Sequence, residues 1–277
     1  MVQIMRIILL AFITYLLPYP HTAEAVRFPV MTNVEITACQ SSWVECSSKV
    51  YYSGTSDIFD IGVPTARPTV GVTKVEAVGV HCSWGDAASG VPFSNCTWAT
   101  SGHAPSTTNC NIVAGSNWVL TADSTCNISA VWGTHSGAGP GGECVVFGIR
   151  LSTTAVLTPQ GILDPLTAAN AGNSICIKPL PPSTVCEVYL PLVIDHGTIV
   201  PGTRDTTYID GLVNCGESPA VSVVGLTDLT LAPGISTKIS TSMSSKTDLR
   251  IQSDMNVTSS AVPGDYSASI IVAVSPY

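Results

Sequence analysis

Ten cysteines constrain this chain more than any other feature. Cys39, Cys46, Cys82, Cys96, Cys110, Cys126, Cys144, Cys176, Cys186 and Cys215 all lie downstream of a segment that reads as an export signal. Met1 to Arg6 carries one positive charge, Ile7 to Leu17 is apolar, and Ala23-Glu24-Ala25 is a small-x-small cleavage site. The apolar run is about eleven residues, too short for a helix to cross a hydrocarbon core of about 30 Å. Residues 1–25 are therefore read as a cleaved signal peptide, and no later stretch is read as membrane-spanning. An even cysteine count in an oxidising compartment implies disulfides, each worth roughly 2–4 kcal/mol. No Cys-x-x-Cys occurs, which removes zinc ribbons and thioredoxin-type redox motifs.

Composition then selects strands over helices. Charged residues are 11% of the chain, so the Glu/Lys/Leu/Arg runs of exposed helices are missing, while Ser, Thr, Gly, Val and Ala abound. The expected fold class is all-β. A formal net charge of −8 argues against nucleic acid or anionic lipid as a partner, since either needs a basic patch. About 250 mature residues suit two domains. Eight cysteines and all five tryptophans precede residue 180; after it only Cys186 and Cys215 remain and clean alternation begins. The proline-rich junction Lys178-Pro179-Leu180-Pro181-Pro182-Ser183 reads as a short stiff linker. The expected units are thus 26–180, a disulfide-rich β-sandwich or barrel-like domain, and 184–277.

In the second unit six strands are expected, near 185–194, 203–215, 219–225, 235–243, 247–252 and 265–275, parted by breakers such as Pro201-Gly202, Pro233-Gly234 and Pro263-Gly264. Short alternating strands with one cysteine pair linking the first two read as an immunoglobulin-like sandwich, which needs about seven strands to close. The last segment is the most informative. Tyr266, Ala268, Ile270, Val272 and Val274 fall on one face and Ser267, Ser269, Ile271 and Ala273 on the other. An apolar last strand with an open edge is an aggregation hazard unless another chain pairs with it. The competing expectation is a complete sandwich with an unrecognised seventh strand.

These residues resemble the carboxy-terminal pilin domain of chaperone–usher fimbrial subunits, immunoglobulin-like folds that lack their last strand. Such domains carry a glycine fourteen residues from the end, alternating apolar residues and a penultimate aromatic. Here Gly264 holds the fourteenth place, while Pro276 is penultimate and Tyr277 is last. The resemblance implies a groove flanked by 185–194 and 265–275, with Leu190, Leu192, Tyr266, Ala268, Ile270, Val272 and Val274 lining it. A periplasmic chaperone would fill it first and an adjacent pilin or adaptor subunit later, during export through an outer-membrane usher. It also implies a Cys186–Cys215 disulfide. About 155 residues stand where an ordinary pilin carries its donor extension, so the layout resembles a two-domain tip adhesin placed at the cell surface on the fimbrial tip, attaching bacteria to a host surface or biofilm. The alternative is a structural minor pilin that binds no receptor.

Two chemistries are open for the first unit. His81, His103 and His135 are its only histidines, and three imidazoles suffice to hold Zn²⁺ with a fourth position open. A resemblance to the MrpH-like adhesins implies these three as ligands, although the close histidine pair of that group is absent. Tryptophan planes pack on the apolar faces of sugar rings, making Trp84, Trp98, Trp118 and Trp132 glycan-binding candidates, with Asp86, Asn95, Asn117 and Asp123 as polar companions. At least two of these tryptophans are expected in the core. His196, in Asp195-His196-Gly197, reads as a turn residue. Neither a Gly-x-Ser-x-Gly elbow nor a His-Glu-x-x-His helix occurs, and Gly137 to Gly142 has no helix behind it to cradle phosphate, so no enzyme is expected.

Overall fold

The structure is a computed structural model that describes residues 25–39, 50–86, 91–99, 106–128, 132–134, 144–180 and 185–275. Apart from one six-residue helix, every regular element among them is a strand. No sheet and no core cluster draws on both sides of residues 181–184.

The first half holds two larger sheets. Strands β1 (Arg27–Cys39), β2 (Val50–Asp60) and β7 (Trp132–Thr134) form one, in the order β1-β2-β7. The other has the order β10-β9-β8-β3-β4, from Gly161–Leu163, Val156–Thr158, Val145–Arg150, Glu76–Asp86 and Val91–Trp98. A two-stranded ribbon, β5 (Thr107–Thr108) with β6 (Asn127–Ile128), lies beside them. The five-stranded sheet is buried on both faces. Ala77, Phe147 and Ile149 face a core with Phe28, Met31 and Trp118. Val78, Val80 and Val146 face a second core with Trp98 and Ala168. Double burial explains the near-continuous apolar runs here, where a sheet solvated on one side would alternate.

Helix α1 (Pro165–Asn170) covers the second core. Asp164 caps it by accepting from the Thr167 N–H at 2.9 Å, and Pro165 starts it where its missing N–H costs nothing. Disulfides Cys82–Cys96, Cys110–Cys126 and Cys144–Cys176 staple this half. The expected linker begins inside it. Lys178 and Pro179 are buried, and the Lys178 ammonium donates to the Ala169 carbonyl at 2.6 Å while lying 5.2 Å from the Phe93 ring.

Among the described residues the second half contains seven strands, one more than the six read from the sequence and the number of the competing expectation. The five-stranded sheet runs β11 (Glu187–Tyr189), β12 (Arg204–Asn214), β16 (Asp248–Val257), β15 (Ile235–Met243), β14 (Asp228–Ala232). Strands β13 (Ala220–Val224) and β17 (Ile271–Ser275) make a two-stranded sheet on the same core. The unrecognised strand is β14, five residues that turn straight into β15 at Pro233-Gly234. Proline fixes the first turn position and Gly234, at φ +80°, takes a second that other residues resist. Cys186 and Cys215 are bonded across the ends of β11 and β12.

Two expected strands are cut short. Of 185–194 only 187–189 pairs, because Pro191 has no N–H for a ladder; of 265–275 only 271–275 pairs. The two halves touch through backbone bonds: Val63 N–H to the Thr230 carbonyl and Gly225 N–H to the Ser174 carbonyl, both at 2.8 Å, and Ser269 N–H to the Asp60 carbonyl at 2.6 Å.

Candidate functional site

The two sheets of the second half are unequal, five strands against two. Val223, Leu229, Ile239, Leu249 and Ile251 are buried in its middle. Around it Leu190, Ile194, Ile199, Ala268, Ile270, Val272 and Val274 are only partly buried. Leu190, Ile194, Ile199, Ala268 and Ile270 lie outside the ladders, whereas Val272 and Val274 pair with β13. Among the described residues, 191–199 and 265–268 make no backbone–backbone hydrogen bond, and β17 pairs only with β13. An apolar trough bounded by unpaired backbone is a template for an added strand. The outer face of the five-stranded sheet is finished by comparison. Arg250 stacks 3.9 Å over Tyr208 and grips Asp210 with two bonds of 2.7 and 2.9 Å, which holds the Asp210 carboxyl below the ordinary carboxylate range.

Two expected lining residues sit elsewhere. Leu192 is fully exposed (100%), because beyond Pro191 the period of two is lost and Leu190 and Ile194 turn to the core instead. Tyr266 lies outside the core cluster, with its ring against Gly264 and its hydroxyl donating to the Val262 carbonyl at 2.9 Å. Gly264 thus makes room for an aromatic ring, since a Cβ there would stand about 3.0 Å from the Tyr266 oxygen. Gly211 does the same for Leu190, which lies on β12 where a Cβ would collide with it. Tyr277 is outside the described residues.

His196 is not a free turn residue. Its side chain is 7% exposed, with Nδ1 2.7 Å from Asp205 Oδ2 and Nε2 2.8 Å from Ser253 Oγ, which in turn bonds Thr237 at 2.6 Å. The partners lie nine and 57 residues away, so sequence offered no sign of them. The arrangement resembles the relay of a serine hydrolase, but Ser253 is buried on the sheet's core face at 3% exposure. Its effect is to pin the unladdered segment 191–199 to β12, β15 and β16. His196→Ala, which leaves buried polar partners unmatched, is expected to destabilise the protein by about 1–3 kcal/mol in urea unfolding.

In the first half the structure sorts the tryptophans. Trp98 and Trp118 are wholly buried and are corrected to core residues. The indole N–H of Trp98 donates to the Leu163 carbonyl at 3.1 Å; that of Trp118 donates to the Ala66 carbonyl at 2.7 Å, with its ring edge-on to Phe28. Trp84 is 57% exposed. It sits where the β3–β4 hairpin leaves the core: β3 is buried up to Cys82, then exposed from Ser83 to Asp86. A bulge between His81 and Ser83 marks the change, with Asn95 at φ +48° on the facing strand and Cys82–Cys96 locking the strands there. Beyond it Trp84 lies opposite Phe93 and stacks on it at 5.9 Å, and Asp86 follows two residues on, on the same face of the strand. Phe93 is held by paired 3.2 Å bonds between its backbone and the Asn170 side chain. The result is an exposed indole with a carboxylate two residues along the same strand face.

The remaining candidates are dispersed. His81 is half-buried on β3, opposite Thr97, whereas His103 and His135 lie outside the described residues. No group of three metal-ligating side chains occurs among the described residues. Trp132 contributes backbone to β7, and its side chain is not among those described. Asn117 is half-buried next to Trp118, and Asp123 is tied into its own loop by Thr121, whose hydroxyl holds the carboxyl below its ordinary range. Among the described residues no helix is long and apolar enough to cross a membrane. Comparison with protein-family models, with curated proteins and with solved structures yields no match to this chain.

Proposed function

We propose that this chain is a fimbrial tip adhesin: its first half binds a surface receptor, and its second half is completed by a β-strand from a chaperone and then from a neighbouring subunit. The observation that carries the reading is the five-against-two sandwich, in which segments 191–199 and 265–268 make no backbone ladder among the described residues. An added strand supplies ladder partners to both and carries alternate apolar side chains onto Leu190, Ile194, Ala268, Ile270, Val272 and Val274.

For the receptor, the Trp84–Phe93 plane with Asp86 suits a sugar: the indole takes the apolar face of the ring and the carboxylate accepts from hydroxyls. Trp84→Ala is expected to weaken glycan-array binding at least tenfold with little change in melting temperature, because the indole is mostly exposed. Trp118→Ala, which empties a core site, is expected to cost about 3–5 kcal/mol of stability. Fimbriae carrying the full chain should bind host cells or immobilised glycans, and fimbriae whose chain lacks residues 26–180 should not. Equal binding by both would leave this protein a structural subunit.

A further inference from the structure

Between the two halves lies an open-sided cavity of about 240 Å³, which shares Ile270 with the proposed strand groove. Phe28, Phe59, Phe147 and Ile177 of the first half and Leu226 and Ile271 of the second are among its lining residues, and none of the residues lining it is charged. An apolar cavity of about 150 Å³ stays dry and takes up benzene. Pockets at the meeting of two units are common ligand sites.

Its polar groups narrow the ligand. The Thr158 and Ser174 hydroxyls are already committed to the carbonyls of Gly161 and Ala171. Gln160 and Ser269 also line the cavity with side chains that make no hydrogen bond among the described residues; Gln160 is half-buried and Ser269 exposed. We infer that this cavity binds a neutral amphiphile, an apolar body with one hydrogen-bonding end that meets the Gln160 amide. A carboxylate or ammonium ligand is disfavoured because nothing in the wall offsets its charge.

The test uses the purified full chain and N-phenyl-1-naphthylamine, a neutral probe whose emission rises in apolar sites, with 1-octanol as competitor. Saturable 1:1 probe binding that 1-octanol displaces is expected. Gln160→Leu, which breaks no protein hydrogen bond made by that side chain, should weaken 1-octanol about fivefold while leaving the probe within twofold. Val30→Trp and Leu226→Trp, filling the cavity from either half, should each lower probe affinity at least tenfold with an unchanged circular dichroism spectrum. The inference is overturned if the wild-type chain shows no saturable binding. It is equally overturned if Gln160→Leu binds 1-octanol as wild type does, or if a folded tryptophan variant keeps full probe binding, which would locate the probe elsewhere, such as the open sheet edge.

Discussion

Val272→Asp is expected to abolish incorporation of the protein into fimbriae and to leave little stable product in the periplasm. Val272 pairs with Val223 at the centre of the two-stranded sheet and is half-buried against the shared core. In the proposed complex an incoming strand covers it, so a carboxylate there must be carried out of water with no cation beside it, a cost of several kcal/mol. Ser267→Asp, at an exposed position two residues before Ser269, is the matched control and should assemble normally. Immunoblots of periplasmic and sheared-fimbria fractions read both. Wild-type levels of Val272→Asp in fimbriae would mean that the added strand lies elsewhere or is not needed.

The second large effect is a gain. Appending a strand of alternating valine and threonine after Tyr277 through a flexible Gly/Ser linker is expected to raise the stability of the second half by several kcal/mol. Each apolar side chain brought fully into the trough contributes about 1.5–3 kcal/mol. Each ladder bond adds about 1 kcal/mol, and the linker makes the ordering of the new strand intramolecular. A control strand with lysine at the valine positions presents charge to the same trough and should give nothing. Urea unfolding with matched linkers separates the two, and an equal midpoint for both would show that the trough takes no strand.

How much of this was legible beforehand follows from where the physical signal resides. Period-two alternation carried the second half well: 235–243 was read with its observed bounds and 203–215 within a residue at each end. It failed at β14, where five residues run without a gap into a type II turn, so that Pro233-Gly234 looked like a mere separator. It also overextended both strands that border the trough, since side-chain alternation reports which face is apolar and not whether a ladder partner is present. In the first half, alternation had little to report for β3 and β8, because their sheet is covered on both faces.

The sites were less legible than the fold. Trp84, Trp98 and Trp118 look alike in sequence, each close to a cysteine or a turn. What separates them is the bulge at His81 and Ser83, after which β3 runs out beyond its core. His196 gains its partners from β12 and β16, and the cavity takes its wall from both halves. Such placements depend on tertiary packing that local pattern does not encode. Leu192 was misassigned for a simpler reason: Pro191 stops the ladder, and the period with it.

Backbone amide exchange on the purified, monomeric full chain tests the open edge most directly, read across residues 191–199 and 265–275 with and without the linked donor strand. Fast exchange in 191–199 and 265–268 without the added strand, and slowing by orders of magnitude with it, is the expected result. Strong protection of both segments in the monomer alone would mean that the chain completes its own sandwich, and the adhesin reading would lose its support.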